Sequence, residues 1–192
     1  MKKVNDSKDK RIINTENALR KSLLALMKKH PIAGITTTEL CRHANINRNT
    51  FYSHYDSPLQ LLECMEEEMY QEFISMVKNL TQQDNMISAL TQICQLAYKN
   101  RDLYITVLSE NGDPRFMKRA IGVTHDFMVL YWKNSNPTLS NDQLEMLYAF
   151  LLGGNISVIG DWAKSGMEQP PEKIALFMDK MYAAITDSLK AK

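Results

Sequence analysis

Asn47, Arg48, Asn49, Tyr52 and Ser53 fall within one short stretch, NRNTFYS, and the types are those that read nucleic acid. An arginine fork pairs bidentately with guanine, an asparagine amide with adenine, and hydroxyls donate to phosphate oxygens. The same stretch offers nothing for acid–base or nucleophilic catalysis. His30, His43, His54 and His125 are scattered, and no paired-carboxylate motif or glycine-rich phosphate loop occurs. Cys41, Cys64 and Cys94 form no CxxC and have no histidine at ligand spacing. An odd number of isolated thiols fits a reducing compartment better than a disulfide scaffold or a zinc site. The reading is therefore of a non-enzyme with no catalytic residue, no metal and no cofactor.

Those side chains need a scaffold, and the flanking sequence supplies one. The first eight residues read as a loose basic tail. Ile12, Leu19, Leu23, Leu26 and Met27 recur at helical spacing and predict a first helix that stops before Pro31. Thr36-Thr37-Thr38-Glu39 is a capping box opening a second helix, Thr37 to about Ala44. Asn47 is an N-cap for a third, Arg48 to about Tyr55. Ser57-Pro58-Leu59-Gln60 opens a fourth, about 57–80, striped by Leu62, Met65, Met69, Phe73, Met76 and Leu80. Further helices are expected over about 85–99, 102–109, 114–133, 141–164 and 171–189, with no strand signal. The fold class is all-α, with about nine helices. Two short helices joined by a three-residue turn make a helix-turn-helix. Leu40, Ala44, Ile46, Phe51 and Tyr55 lock the pair inward, leaving the polar face free for a major groove about 12 Å wide. The competing reading is a helical hairpin with a solvated face, which would favour Glu and Lys where this one carries amides and hydroxyls.

Charge separates along the chain. Residues 1–55 hold eleven Lys/Arg and four Asp/Glu, a net of +7, whereas the rest hold twelve and eighteen, a net of −6. Only one end is built to meet a polyanion, unless the segregation is chance. A non-specific DNA binder would spread its positive charge over the whole chain. The N-terminus lacks the apolar run of a signal peptide, and the uncharged run Met146–Gly160 falls short of the roughly 20 residues a spanning helix needs. The expected setting is the cytoplasm, at the nucleoid, with no membrane partner.

The run ITTTELCRHANINRNTFYSHYDSPLQLL resembles the DNA-binding domain of the TetR family of bacterial transcriptional regulators. The resemblance covers Lys10 to about Glu67 by motif and extends beyond it only through helix count and order. It implies a helix-turn-helix domain over 9–56 and a larger helical ligand-binding and dimerisation domain over 57–192, bridged by helix four. It also implies phosphate contacts from Thr36, Thr37, Thr50, Tyr52 and His54, with Asn47, Arg48 and Asn49 facing bases. Many members carry a lysine after the serine that opens helix four; here that place is Pro58. A ligand cavity among helices four to seven and a dimer built from the last two helices are implied as well. Candidates for the cavity are Met69, Phe73, Tyr98, Tyr104, Met117, Met128, Tyr131 and Trp162. Apolar stripes on helices eight and nine nominate Leu144, Leu147, Leu151, Val158, Phe177, Met181 and Ile185 for the dimer interface. The expected partners are an operator in double-stranded DNA, a second copy of the chain and a small-molecule effector. The function expected is a ligand-released repressor; the alternatives are an activator or co-activator controlled by a protein partner, and a non-specific DNA-binding protein.

Overall fold

The structure is a computed structural model; it describes residues 2–80, 86–107, 109 and 114–190, with side chains from residue 10 on except those of 80, 114–118 and 190. The described residues form nine helices, a short 3-10 turn at Ile32–Gly34, and no strand. The helices are α1 Lys2–Met27, α2 Thr37–Ala44, α3 Arg48–Tyr52, α4 Pro58–Leu80, α5 Met86–Lys99, α6 Arg101–Val107, α7 Pro114–Ser135, α8 Asn141–Lys164 and α9 Pro171–Lys190. Two boundaries differ from expectation. The stretch read as a loose tail lies inside α1 from Lys2 onward. Helix α3 stops at Tyr52, because Ser53 turns its hydroxyl onto the Thr50 carbonyl at 2.7 Å and closes the last turn.

Contacts gather the chain into two compact units, Met1–Glu68 with Thr106–Asp113 and Met69–Ile105 with Pro114–Lys192. The division thus falls inside α4, not at residue 57. In the first unit Leu19, Leu23, Leu26 and Met27 of α1 are buried with Leu40 and Cys41 of α2 and Phe51 of α3. Tyr55, Leu61, Leu62 and Met65 are buried as well. Each such side chain contributes about 1.5–3 kcal/mol by leaving water. The Arg20 guanidinium holds Glu68 through its two terminal nitrogens, at 2.6 and 2.5 Å, tying α1 to α4.

In the second unit α5 packs along α9, and α8 lies between α7 and α9. The core gathers Leu90, Cys94, Trp132, Leu144, Leu147, Leu151, Ile159, Trp162, Met178 and others. Helix α8 is long and apolar enough to cross a bilayer by length and composition. It reads as a core helix, since Leu144, Leu147, Tyr148, Leu151, Ile159, Trp162 and Ala163 are buried inside the unit. That burial corrects the expected dimer face. Leu144, Leu147 and Leu151 are spent on the protomer's own core. The outward face of α8 carries Met146 and Phe150, 65% and 70% exposed, followed by exposed Gly153, Gly154 and Ser157. On α9 the exposed apolar side chains include Leu176, Phe177 and Met181, while Ile185 is half-buried, as is Val158 on α8.

Candidate nucleic-acid interface and ligand cavity

The two short helices are fixed by local chemistry. Thr36 sits in an extended conformation and its Oγ1 accepts from the Glu39 backbone N–H at 3.2 Å, starting α2. Asn45 ends it in the left-handed region, φ 55°, a conformation that asparagine tolerates better than most side chains. The chain then turns back through the Ile46 N–H donating to the Cys41 carbonyl at 3.0 Å. Asn47 Oδ1 accepts from the Asn49 N–H at 2.8 Å and starts α3. The turn is thus three residues long because a helix stop and a helix start stand almost back to back.

Phe51, fully buried, anchors α3, and its ring meets Tyr52 and Tyr55 at centroid distances of 5.6 and 5.9 Å. The opposite face is open: Asn47, Arg48, Asn49 and Tyr52 are exposed, Thr36 is exposed at the start of α2, and Thr37 and Thr50 are half-buried. Arg48, and after it Thr37, holds the pKa of the exposed Tyr52 phenol below the usual tyrosine range. His54 meets the first helix instead. Its side chain is 19% exposed and its Nδ1 lies 3.6 Å from Glu16 Oε1 of α1.

The second unit holds a cavity of about 140 Å³. Of the candidates named from sequence, Met69, Phe73, Tyr104 and Met128 line it. Tyr98 is 40% exposed and stacks on Trp162, which is buried and donates its indole N–H to the Gln169 carbonyl at 3.0 Å. Tyr131 packs against Phe127 and does not reach the lining. The Met117 side chain lies outside the described residues. Sequence reasoning missed Trp132, Tyr148, Asn155 and Tyr182, all of which face the cavity. The lone amide Asn155 in the otherwise apolar run of α8 was the one signal available. Burial pushes the Tyr104 and Tyr182 phenols up to about 12, so both are neutral near pH 7.

Residues 84–183 match the TetR_C_8 family, described as the C-terminal region of transcriptional regulators. Over 118 residues the chain is 32% identical to the HTH-type transcriptional regulator YxbF of Bacillus subtilis (strain 168), a match spanning 61% of this chain and 30% of that relative. A transcriptional regulator of the TetR/AcrR type from Aquifex aeolicus VF5 has a similar fold, with a TM-score of 0.66 at 15% identity, covering 89% of this chain and 99% of that one. A TetR regulator from Streptococcus agalactiae 2603V gives 0.59 at 22% identity, over 92% and 98% of the two chains. With its helix-turn-helix at the N-terminal end and the family's own C-terminal region behind it, the chain belongs to the TetR family of transcriptional regulators.

Proposed function

We propose that two copies of this chain bind a pseudo-palindromic operator in cytoplasmic DNA and repress transcription until a small molecule fills the cavity of the second unit. The observation that carries the reading is the exposed polar face of α3, where Asn47, Arg48, Asn49 and Tyr52 stand free of the buried Phe51 anchor. Arg48 and the two amides supply base-edge contacts; Thr36, Thr37, Thr50 and Tyr52 supply phosphate contacts that set register. Pairing through Met146, Phe150, Phe177 and Met181 removes an apolar face from water and presents two reading helices. An added Cβ on Gly153 or Gly154 meets nothing within 4 Å in the protomer, which leaves room for a partner helix to approach closely. Coupling runs through α4, which is continuous from Pro58 to Leu80 and contributes both to the first unit and, through Met69, Phe73 and Val77, to the cavity lining. A ligand shifts operator affinity only by its differential affinity for the two states, typically about 1–3 kcal/mol. The test is selection of bound fragments from sheared genomic DNA. Half-sites roughly one helical turn apart, about 34–36 Å or slightly more, are expected. Fragments with no shared sequence would reduce the protein to a non-specific binder.

A further inference from the structure

The cavity's chemistry narrows what can occupy it. Its volume, about 140 Å³, is close to that of an engineered apolar cavity of about 150 Å³ that takes benzene. Among the described residues the lining contains no Asp, Glu, Lys, Arg or His. A carboxylate or ammonium would shed its hydration there and find no counter-charge, which is costly. Besides the Tyr104 phenol and the Trp132 indole, the polar groups of the lining fall into two hydrogen-bonded sets of different character. In one set, the Tyr148 hydroxyl donates to the Ile121 carbonyl at 2.9 Å, and the Thr124 hydroxyl lies 3.1 Å from Tyr148 Oη and 3.0 Å from the same carbonyl. Those groups satisfy one another.

In the other set, Asn155 of α8 and Tyr182 of α9 are hydrogen-bonded to each other. Among the described residues neither side chain has another hydrogen-bond partner. If the amide donates to the phenol oxygen, the phenol's own proton is left over; if the amide is turned round, its N–H groups are. In either orientation the pair keeps at least one donor for an occupant, and Tyr182 is only 5% exposed, so water does not compete for it freely.

We propose that the ligand held here is an uncharged molecule about the size of one substituted ring, bearing one oxygen acceptor that takes the hydrogen bond left over by the Asn155–Tyr182 pair. The proposal rests on the reading of this cavity as the effector site. Four probes of one size separate its parts when titrated into the intact protein carrying labelled methionine methyls: acetophenone, ethylbenzene, benzoate and benzylammonium. Met69, Met128 and Met178 line the cavity and report where each probe goes. Acetophenone is expected to shift those three methyls. Ethylbenzene, which lacks the acceptor, should do so about tenfold more weakly, and the two ions about a hundredfold more weakly or worse. In the double variant Asn155→Leu/Tyr182→Phe, acetophenone and ethylbenzene should converge to within about twofold. If that variant does not fold, the ranking of the four probes on the unsubstituted protein decides alone. The proposal is overturned if benzoate or benzylammonium fills the site as readily as acetophenone, if ethylbenzene matches acetophenone, or if no probe moves the three methyls. Operator binding measured with acetophenone present is a separate readout. Unchanged affinity for DNA, with the ranking intact, sinks the effector role and leaves the ligand chemistry standing.

Discussion

Replacing Arg48 with alanine is the sharpest test of the reading helix. The side chain is exposed, and so is Tyr52, one turn further along α3. The folded protein should therefore keep its stability to within about 0.5 kcal/mol, the usual range for surface changes. On DNA the loss is larger. A bidentate base contact is worth about 1–3 kcal/mol, and a symmetric dimer makes it twice, so the best operator should lose about 2–6 kcal/mol. On random DNA only one cation per protomer disappears. That should shallow the dependence of log K on log salt by about 0.9 per protomer and barely alter preference. Fluorescence anisotropy with operator and scrambled duplexes at several salt concentrations measures both. Tyr52→Phe should instead weaken binding to operator and scrambled DNA alike, since it removes a phosphate contact and no charge. Equal losses for Arg48→Ala on operator and scrambled DNA would refute the base-reading role and leave Arg48 a phosphate contact.

Phe150→Glu should halve the mass seen by light scattering to that of the 22.1 kDa chain, because the side chain is 70% exposed in the protomer and charge there opposes an apolar pairing; a variant that stays dimeric would move the interface elsewhere. Leu144→Ala should instead destabilise the protomer by about 2–5 kcal/mol, the range for a fully buried leucine, and a melt that does not shift would contradict its burial. His125 bonds to Asp126 and then Glu145, which raise its pKa above 6.5. The pair's contribution is therefore complete below about pH 6.5, fades as pH rises through the raised value, and should be absent in His125→Gln; an NMR titration with its midpoint at or below 6.5 would show the cluster does not hold the charged form. Alkylation by iodoacetamide of the folded protein should mark half-buried Cys64 first and spare Cys94, whose thiol burial pushes up to about 12; equal rates by mass spectrometry would mean the second unit opens easily.

Much of the fold was legible because its signals are local. Thr36, Asn47 and Ser140 each cap a helix with an atom two or three residues away, and each was readable from the sequence alone. Ser57 shows how a local signal can be right in kind and slightly wrong in detail. Its hydroxyl accepts from the Gln60 N–H at 3.1 Å as expected, but the Gln60 side chain reaches past it to the Asp56 backbone N–H. The approach of His54 to Glu16 was not legible, because the two lie far apart in sequence and no local pattern announces it.

The sequence by itself determined the order of the helices, the back-to-back stop and start that make the DNA-reading turn, and the set of side chains on its free face. These follow from hydrogen bonds and periodicities that span a few residues. Only the tertiary structure decided which side of α8 faces inward. Leu144, Leu147 and Leu151 on one side and Met146 and Phe150 on the other are all apolar, so hydrophobicity alone does not choose between core and surface. The choice is made by packing against α7 and α9, which also brings Asn155 and Tyr182 into hydrogen-bonding contact. A contact between residues so far apart in sequence has no local precursor, because it exists only once the helices have closed around the same cavity.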